Sequence, residues 1–238
     1  MTGQIQVQTT DGSFACYVAR PAAPGQSPTA PVVIIIQEIF GVNAGIRSIA
    51  DDYAARGFIA VCPDLFWRTE SGVFLDESVE GDWGKAFALY KAYDRDKGVD
   101  DIALLIKQAR SMEGSNGKVG VTGYCLGGLM TFLSAARTDG DAFAAYYGGG
   151  TDQYLDEADR IRAPLLYHLA GEDEFIDREA QAKIRSALEQ KDNVELYVYP
   201  GRNHAFARPG GNHYHDADAK LANSRTDAFF ARTLRPSV

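Results

Sequence analysis

The sequence predicts an α/β fold, a mostly parallel sheet with helices on both faces. Three observations predict it. Val32-Val33-Ile34-Ile35-Ile36 is an unbroken β-branched run, the pattern of a strand buried on both faces. Strand-like and helix-like segments then alternate to the end of the chain. The 238 residues, 45 % of them hydrophobic, suffice for a substantial core, so residues 1–238 read as one domain.

The elements follow in order. Gln4 to Thr9 alternates, Asp11-Gly12 is a turn signal, and Phe14 to Val18 resumes the strand pattern, so residues 4–19 are expected to form a hairpin. Pro21 to Pro31, rich in Pro, Ala and Ser, is expected to be a surface connection. After the buried strand Val32–Ile36 comes a loop, Gln37 to Asn43, then a helix from Ile46 to Arg56 with Gly57 placed to end it. Phe58 to Cys62 is a second central strand, closed by Pro63-Asp64. Leu65 to Gly81 is irregular, and a loop of that length in a compact domain is often functional. Helices are expected at about Trp83–Asp94 and Asp100–Met112. Lys118 to Thr122 is a strand that enters Gly123-Tyr124-Cys125-Leu126-Gly127-Gly128, and Leu129 to Arg137 a helix that leaves it. Ala142–Tyr147, Leu165–Ala170 and Val194–Tyr199 are further strands. Arg178–Gln190 and about Ala217–Arg232 are helices. There is no internal repeat and no low-complexity segment.

Composition narrows the function. Twenty-four basic and 32 acidic residues give a net charge of −8, spread along the chain as on a solvated surface; this disfavours nucleic-acid binding. No apolar run approaches about 18 residues, so no membrane span is expected. Met1 to Gln6 lacks the basic and apolar regions of a secretory signal. Three cysteines, Cys16, Cys62 and Cys125, are an odd count that argues against a disulfide framework. A cytoplasmic setting fits, and it would keep a catalytic thiol reduced.

The pattern around Cys125 is Gly-x-nucleophile-x-Gly. Between a strand and a helix this spacing builds an elbow, which holds the central side chain clear above the sheet. The N–H of Leu126 then lies at a helix N-terminus, suited to an oxyanion. Taken alone, the hexapeptide fits a packed, structural cysteine equally well. Two later loops add to it. Asp173 follows one strand and His204 another, so the chain order is nucleophile, acid, histidine, the order of the α/β-hydrolases. His204 would take the thiol proton, and Asp173 would fix the imidazole. The plain alternatives are a turn cap for Asp173 and a surface loop residue for His204. His168 lies mid-strand, and His213 and His215 fall after the loop. Glu38 follows the buried strand and reaches the same sheet edge. Shielded by Ile39 and Phe40 and left unpaired, it would accept the thiol proton; its alternative is a loop salt bridge. The N–H of Ile39 would complete the oxyanion hole beside that of Leu126.

Six blocks carry a resemblance: Gln37-Glu38-Ile39-Phe40-Gly41-Val42-Asn43, Cys62-Pro63-Asp64-Leu65, the Gly123–Gly128 hexapeptide, Tyr146-Tyr147-Gly148, Gly171-Glu172-Asp173 and His204-Ala205-Phe206-Ala207-Arg208. Together they resemble the dienelactone hydrolase family (carboxymethylenebutenolidases) over nearly the whole chain. The resemblance implies an α/β-hydrolase fold, a Cys125-His204-Asp173 triad and no cofactor. It implies that Glu38 helps to ionise the thiol when substrate arrives, that Arg208 binds a substrate carboxylate, and that Phe40, Tyr146 and Tyr147 contact substrate. It also implies a small-molecule partner, an anionic lactone or ester, for a monomer or small homo-oligomer. The chain departs from the better-known pattern twice. Ala205 stands where some members have Ser, and Glu80 to Lys85 contains no Arg. A two-armed carboxylate clamp would lack one arm unless Lys85 or Arg68 substitutes.

The chemistry follows from the thiol as well. A thiolate attacks well and also leaves well, so an alkoxide or amine is expelled poorly from its tetrahedral adduct. An enol ester expels a stabilised enolate, and the forward collapse wins. The expected reaction is opening of a carboxylate-bearing enol lactone through a thioester that water then cleaves, in the breakdown of aromatic compounds. A broader esterase for small activated esters is the rival of the same class. A non-catalytic α/β binding domain with a structural cysteine is the rival from another class, and a cysteine peptidase is disfavoured by its amine leaving group. Metal binding by His204, His213 and His215 lacks a carboxylate or thiol at ligand spacing.

Overall fold

The chain enters its sheet through the expected hairpin, β1 (Thr2–Gln8) and β2 (Ser13–Ala19), in a register that pairs Thr2 with Ala19 and Gln8 with Ser13. Thr9 donates its N–H to the Gly12 carbonyl across the turn, at 2.8 Å. The computed structural model describes residues 1–22 and 29–235, so residues 23–28 of the Pro21–Pro31 connection lie outside the described residues.

Strands β3 (Ala30–Ile36) and β4 (Ile59–Pro63) pair in parallel. β5 (Ser115–Tyr124), β6 (Ala142–Tyr146), β7 (Leu165–Ala170) and β8 (Val194–Tyr199) extend the sheet in parallel on the other side of β3. The order is β1-β2-β4-β3-β5-β6-β7-β8, with only the hairpin strands antiparallel. Val32 to Ile36 are wholly buried, as their β-branched run requires of a strand covered on both faces.

Helices α1 (Ala44–Ala55) and α6 (Asp216–Leu234) share one face; Arg56 beside α1 meets Asp227 at 2.6 Å, and Tyr53 packs against Phe230. Helices α3 (Arg95–Arg110) and α4 (Leu126–Arg137) share the other, joined by Arg137 and Asp96 at 2.7 Å. α2 (Glu80–Ala92) precedes α3, and α5 (Arg178–Leu188) lies between β7 and β8 in sequence. Local chemistry sets the starts. Asn43 accepts the N–H of Ile46, Asp94 those of Asp96 and Lys97, and Asp177 that of Ala180.

One boundary and one element depart furthest from expectation. α3 begins at Arg95 rather than Asp100, because Asp94 caps it and the polar first turn needs no apolar face. A 3₁₀ segment, Thr151–Arg160, kinked at Tyr154, was not expected at all.

Candidate active site

The loops after β3, β5, β7 and β8 converge on one edge of the sheet. Glu38, Cys125, Asp173 and His204 ride on them. Cys125 sits at φ 56° and ψ −117°, a left-handed backbone that a non-glycine residue holds only when its surroundings impose it. The surroundings do impose it. A Cβ on Gly123 would lie 2.2 Å from the Gly127 carbonyl oxygen, and one on Gly127 would lie 2.4 Å from that of Ile36. Only glycines let β5, β3 and α4 approach so closely. The turn lifts the thiol into a cavity of about 540 Å³.

His204 and Asp173 meet as expected. Nδ1 of His204 lies 3.0 and 2.9 Å from the two Asp173 oxygens. A carboxylate only accepts, so Nδ1 carries the proton and Nε2 is the nitrogen free to act as a base. Asp173 is also the turn cap of the plain alternative: its Oδ1 accepts the N–H of Phe175 and of Ile176. Asn203 ties the two loops together by accepting the N–H of Glu174 and of His204. Phe175 and Tyr147 pack edge-on against the imidazole, at 4.9 and 5.1 Å between centroids. Nε2 is buried and unpartnered beside the thiol, outside hydrogen-bond geometry. Burial alone would push the imidazole down. Negative charge at Cys125 and the bond to Asp173 outweigh it and push His204 up to about 10.

Leu126 opens α4, so its N–H has no carbonyl one turn back. No acceptor for the Ile39 N–H is found among the described residues. Both residues line the cavity beside Cys125, as the expected oxyanion hole requires.

Glu38 and Arg208 line it too, but they hold each other. Arg208 Nη1 donates to Glu38 Oε2 at 2.8 Å, so Glu38 forms the loop salt bridge of its plain alternative. Its Oε1 is buried without a partner. Arg208 Nη2 donates to Glu77, which sequence reasoning missed. Glu77 lies in the irregular stretch flagged for its length, but nothing local ties it to an arginine 131 residues away. Lys85 pairs with Glu70, and Arg68 with Asp101 and Asp11, so neither supplies the absent arm of a clamp.

Phe40 lines the cavity as expected, but Tyr146 and Tyr147 do not. Both are wholly buried, Tyr146 at the end of the central strand β6 and Tyr147 just after it. The Tyr146 hydroxyl bonds Thr226 and Asn223 on α6, and Tyr147 lies against His204. Trp83, Phe87 and Tyr90 also line the cavity; their i, i+4, i+7 spacing on α2 was the available signal.

The other candidates serve the fold. Cys16 and Cys62 are free and buried, and burial pushes both thiols up out of the range where they ionise. His215 accepts the Asp218 N–H at the start of α6. Among the described residues, no group of three His, Cys, Asp or Glu stands in a metal-binding arrangement. No described helix is long and apolar enough to cross a membrane.

The strand order, with the elbow after β5, an acid after β7 and a histidine after β8, defines an α/β-hydrolase. Residues 14–234 match the dienelactone hydrolase family, and this chain belongs to it. A carboxymethylenebutenolidase of Pseudomonas putida is 38% identical over 232 residues, 97% of each chain. A relative from Azospirillum brasilense, provisionally named for the same activity, is 44% identical over 224 residues, 94% of this chain and 95% of its own. The crystal structure of a Klebsiella pneumoniae protein, provisionally named a dienelactone hydrolase, superposes with a TM-score of 0.84 at 27% identity, covering 97% of this chain and 98% of its own. The chain is an ester or lactone hydrolase.

Proposed function

We propose that this hydrolase opens activated esters and enol lactones of the dienelactone type with Cys125 as nucleophile, His204 as proton carrier and Asp173 as the group that orients it. One arrangement carries this: a thiol on a left-handed elbow shares a cavity with an imidazole whose far nitrogen is held by both oxygens of a buried carboxylate.

The Cys125 thiolate adds to the carbonyl carbon, and the oxyanion is received by the N–H groups of Ile39 and Leu126. Collapse breaks the carbonyl C–O bond of the ring. The enolate leaves and takes a proton from the His204 imidazolium, leaving a thioester. His204 then takes a proton from water, the hydroxide adds, and the carboxylic acid product departs from a restored thiolate and ionises in solvent. Glu38 helps His204 to take the thiol proton when substrate arrives. Its unpartnered Oε1 lies in the same cavity, and release of Oε2 from Arg208 would let the carboxylate turn.

A carboxylate-bearing lactone must exchange itself for Glu38 on Arg208, whereas an uncharged activated ester need not. That exchange releases Glu38 towards the thiol, so the pair favours the anionic lactone for this reaction.

Replacing the nucleophile tests the scheme. Cys125→Ala should leave less than about a thousandth of the wild-type kcat in a folded protein, while Cys16→Ala and Cys62→Ala retain activity. A thioester of Cys125, trapped by acid quench and detected by mass spectrometry, should appear in the wild type. Substantial turnover by the alanine variant would sink the covalent route.

A further inference from the structure

We infer that Asn203 and His213 form a clasp that sets His204 against Asp173, and that both are positioning residues for the reaction. This rests on the His204–Asp173 reading above and adds the groups that hold the pair in place.

The clasp begins where the sheet ends. Beyond β7 and β8, backbone bonds still join the two loops for a short way. Gly171 donates its N–H to the Tyr199 carbonyl at 2.9 Å, and Glu172 donates to that of Arg202 at 2.8 Å. Then a side chain takes over. Asn203 Oδ1 accepts the N–H of Glu174 at 2.9 Å and that of His204 at 2.7 Å. The residues on either side of Asp173 are thus tied to the two residues that precede His204, so acid and base share one frame.

His213 closes the other side. A turn in which Gly211 donates to the Arg208 carbonyl at 3.1 Å brings it back against the loop it has left. Its Nδ1 lies 3.1 Å from the His204 carbonyl oxygen and 3.5 Å from the Glu174 carboxylate. Both of those groups only accept, so Nδ1 carries the proton and Nε2 is an acceptor. Asn203 Nδ2 donates to that Nε2 at 3.4 Å and to Glu174 Oε1 at 3.3 Å. The amide has one orientation, because its oxygen already accepts two N–H groups. Together the two side chains hold both backbone polar groups of His204, Asn203 its N–H and His213 its carbonyl.

The next residue shows why the hold matters. Ala205 has φ 61°, a left-handed backbone that alanine keeps only under constraint. Release of the His204 peptide would let this turn relax and swing the imidazole. Nδ1 must stay within 3.0 Å of both Asp173 oxygens while Nε2 serves the thiol. A misplacement of about 1 Å costs such a site about 10²-fold. Asn203 does this from outside the cavity lining, and His213 from its rim, 40% exposed.

The test separates positioning from support of the fold. With phenyl acetate as substrate, Asn203→Ala should lower kcat by about 30- to 100-fold and leave KM within about threefold. In the same variant the His204 titration, followed by NMR, should move down from about 10 towards 6.5 as its alignment with Asp173 loosens. His213→Phe keeps a ring but removes the donor, and should lower kcat by about three- to tenfold, the scale of one hydrogen bond. His213→Gln restores a donor and should return kcat to within about twofold of wild type. A kcat for Asn203→Ala within about threefold of wild type overturns the inference. So does a loss confined to KM, an unmoved His204 titration, or an equal loss in the two His213 variants. The His213 pair lies at the surface and carries the test even where Asn203→Ala unfolds. If His204→Ala turns over as fast as wild type, the reaction scheme fails instead, and the titration, which needs no turnover, still decides the clasp.

Discussion

Two histidines are buried in this molecule, and they are held in opposite states. His168 lies in the middle of β7, wholly enclosed, with Nδ1 2.8 Å from the Tyr199 hydroxyl and Nε2 3.0 Å from Thr226 Oγ1. Burial, with Arg225 adding to it, pushes this imidazole down to about 3. His204 is almost as buried, but it faces a carboxylate and a thiol, and it is pushed up to about 10. Burial is common to both, so enclosure does not decide protonation. Hydroxyl partners accept a neutral ring, while anionic partners keep a charged one. The strand offers the first environment and the loop edge the second, and only the second gives a proton somewhere to go.

The largest contrast should appear in turnover. His204→Ala is expected to lower kcat by about 10⁴–10⁶, whereas His168→Ala should leave the kcat of the folded protein within a few-fold. Steady-state rates normalised to folded protein measure both, and comparable losses would erase the distinction. Asp173→Asn comes next. It should cost about 10⁴ in kcat with little change in KM, and the His204 titration followed by NMR should move down, since a favourable partner is lost. An unmoved titration would mean that Asp173 only caps its turn.

Stability should show the reverse ranking. His168→Ala removes a ring from the core and orphans the Tyr199 and Thr226 hydroxyls, at a cost of about 2–4 kcal/mol by urea unfolding. The pH dependence is smaller but has two signs. His168 stays neutral when folded, so its contribution is full above its ordinary value of 6.5 and falls as pH drops towards 3, with a slope of up to about 1.4 kcal/mol per pH unit. His204 stays charged when folded, so its contribution is full below 6.5 and is lost as pH rises towards 10. Unfolding curves across pH on His168→Gln and His204→Gln should flatten opposite limbs.

Legibility in the sequence divides along a similar line. The parallel strands were readable because residues such as Val32–Ile36 are buried whatever lies beside them. Cys125, Asp173 and His204 were readable because each loop position is set by the strand before it, and the structure brings the acid and the histidine together. His168 was correctly placed mid-strand, outside the site. The Glu77–Arg208–Glu38 chain was not readable, since which carboxylate meets a long guanidinium depends on loops far apart in sequence. Tyr146 and Tyr147 were misplaced because their position beside the site says nothing about which side of the backbone each ring leaves.

Among the described residues, three that are not glycine hold a left-handed backbone: Cys125, Tyr147 and Ala205. All three follow strands at the same edge of the sheet, after β5, β6 and β8. Such conformations cost about 1–3 kcal/mol each, and only the packing of the rest of the chain sustains them. The cheapest gains in robustness therefore lie at this working rim. A glycine there would ease the chain and loosen the hold on thiol and imidazole. Hardiness and turnover are drawn from the same few residues, and the hydrophobic frame of β3 to β7 is what lets both persist.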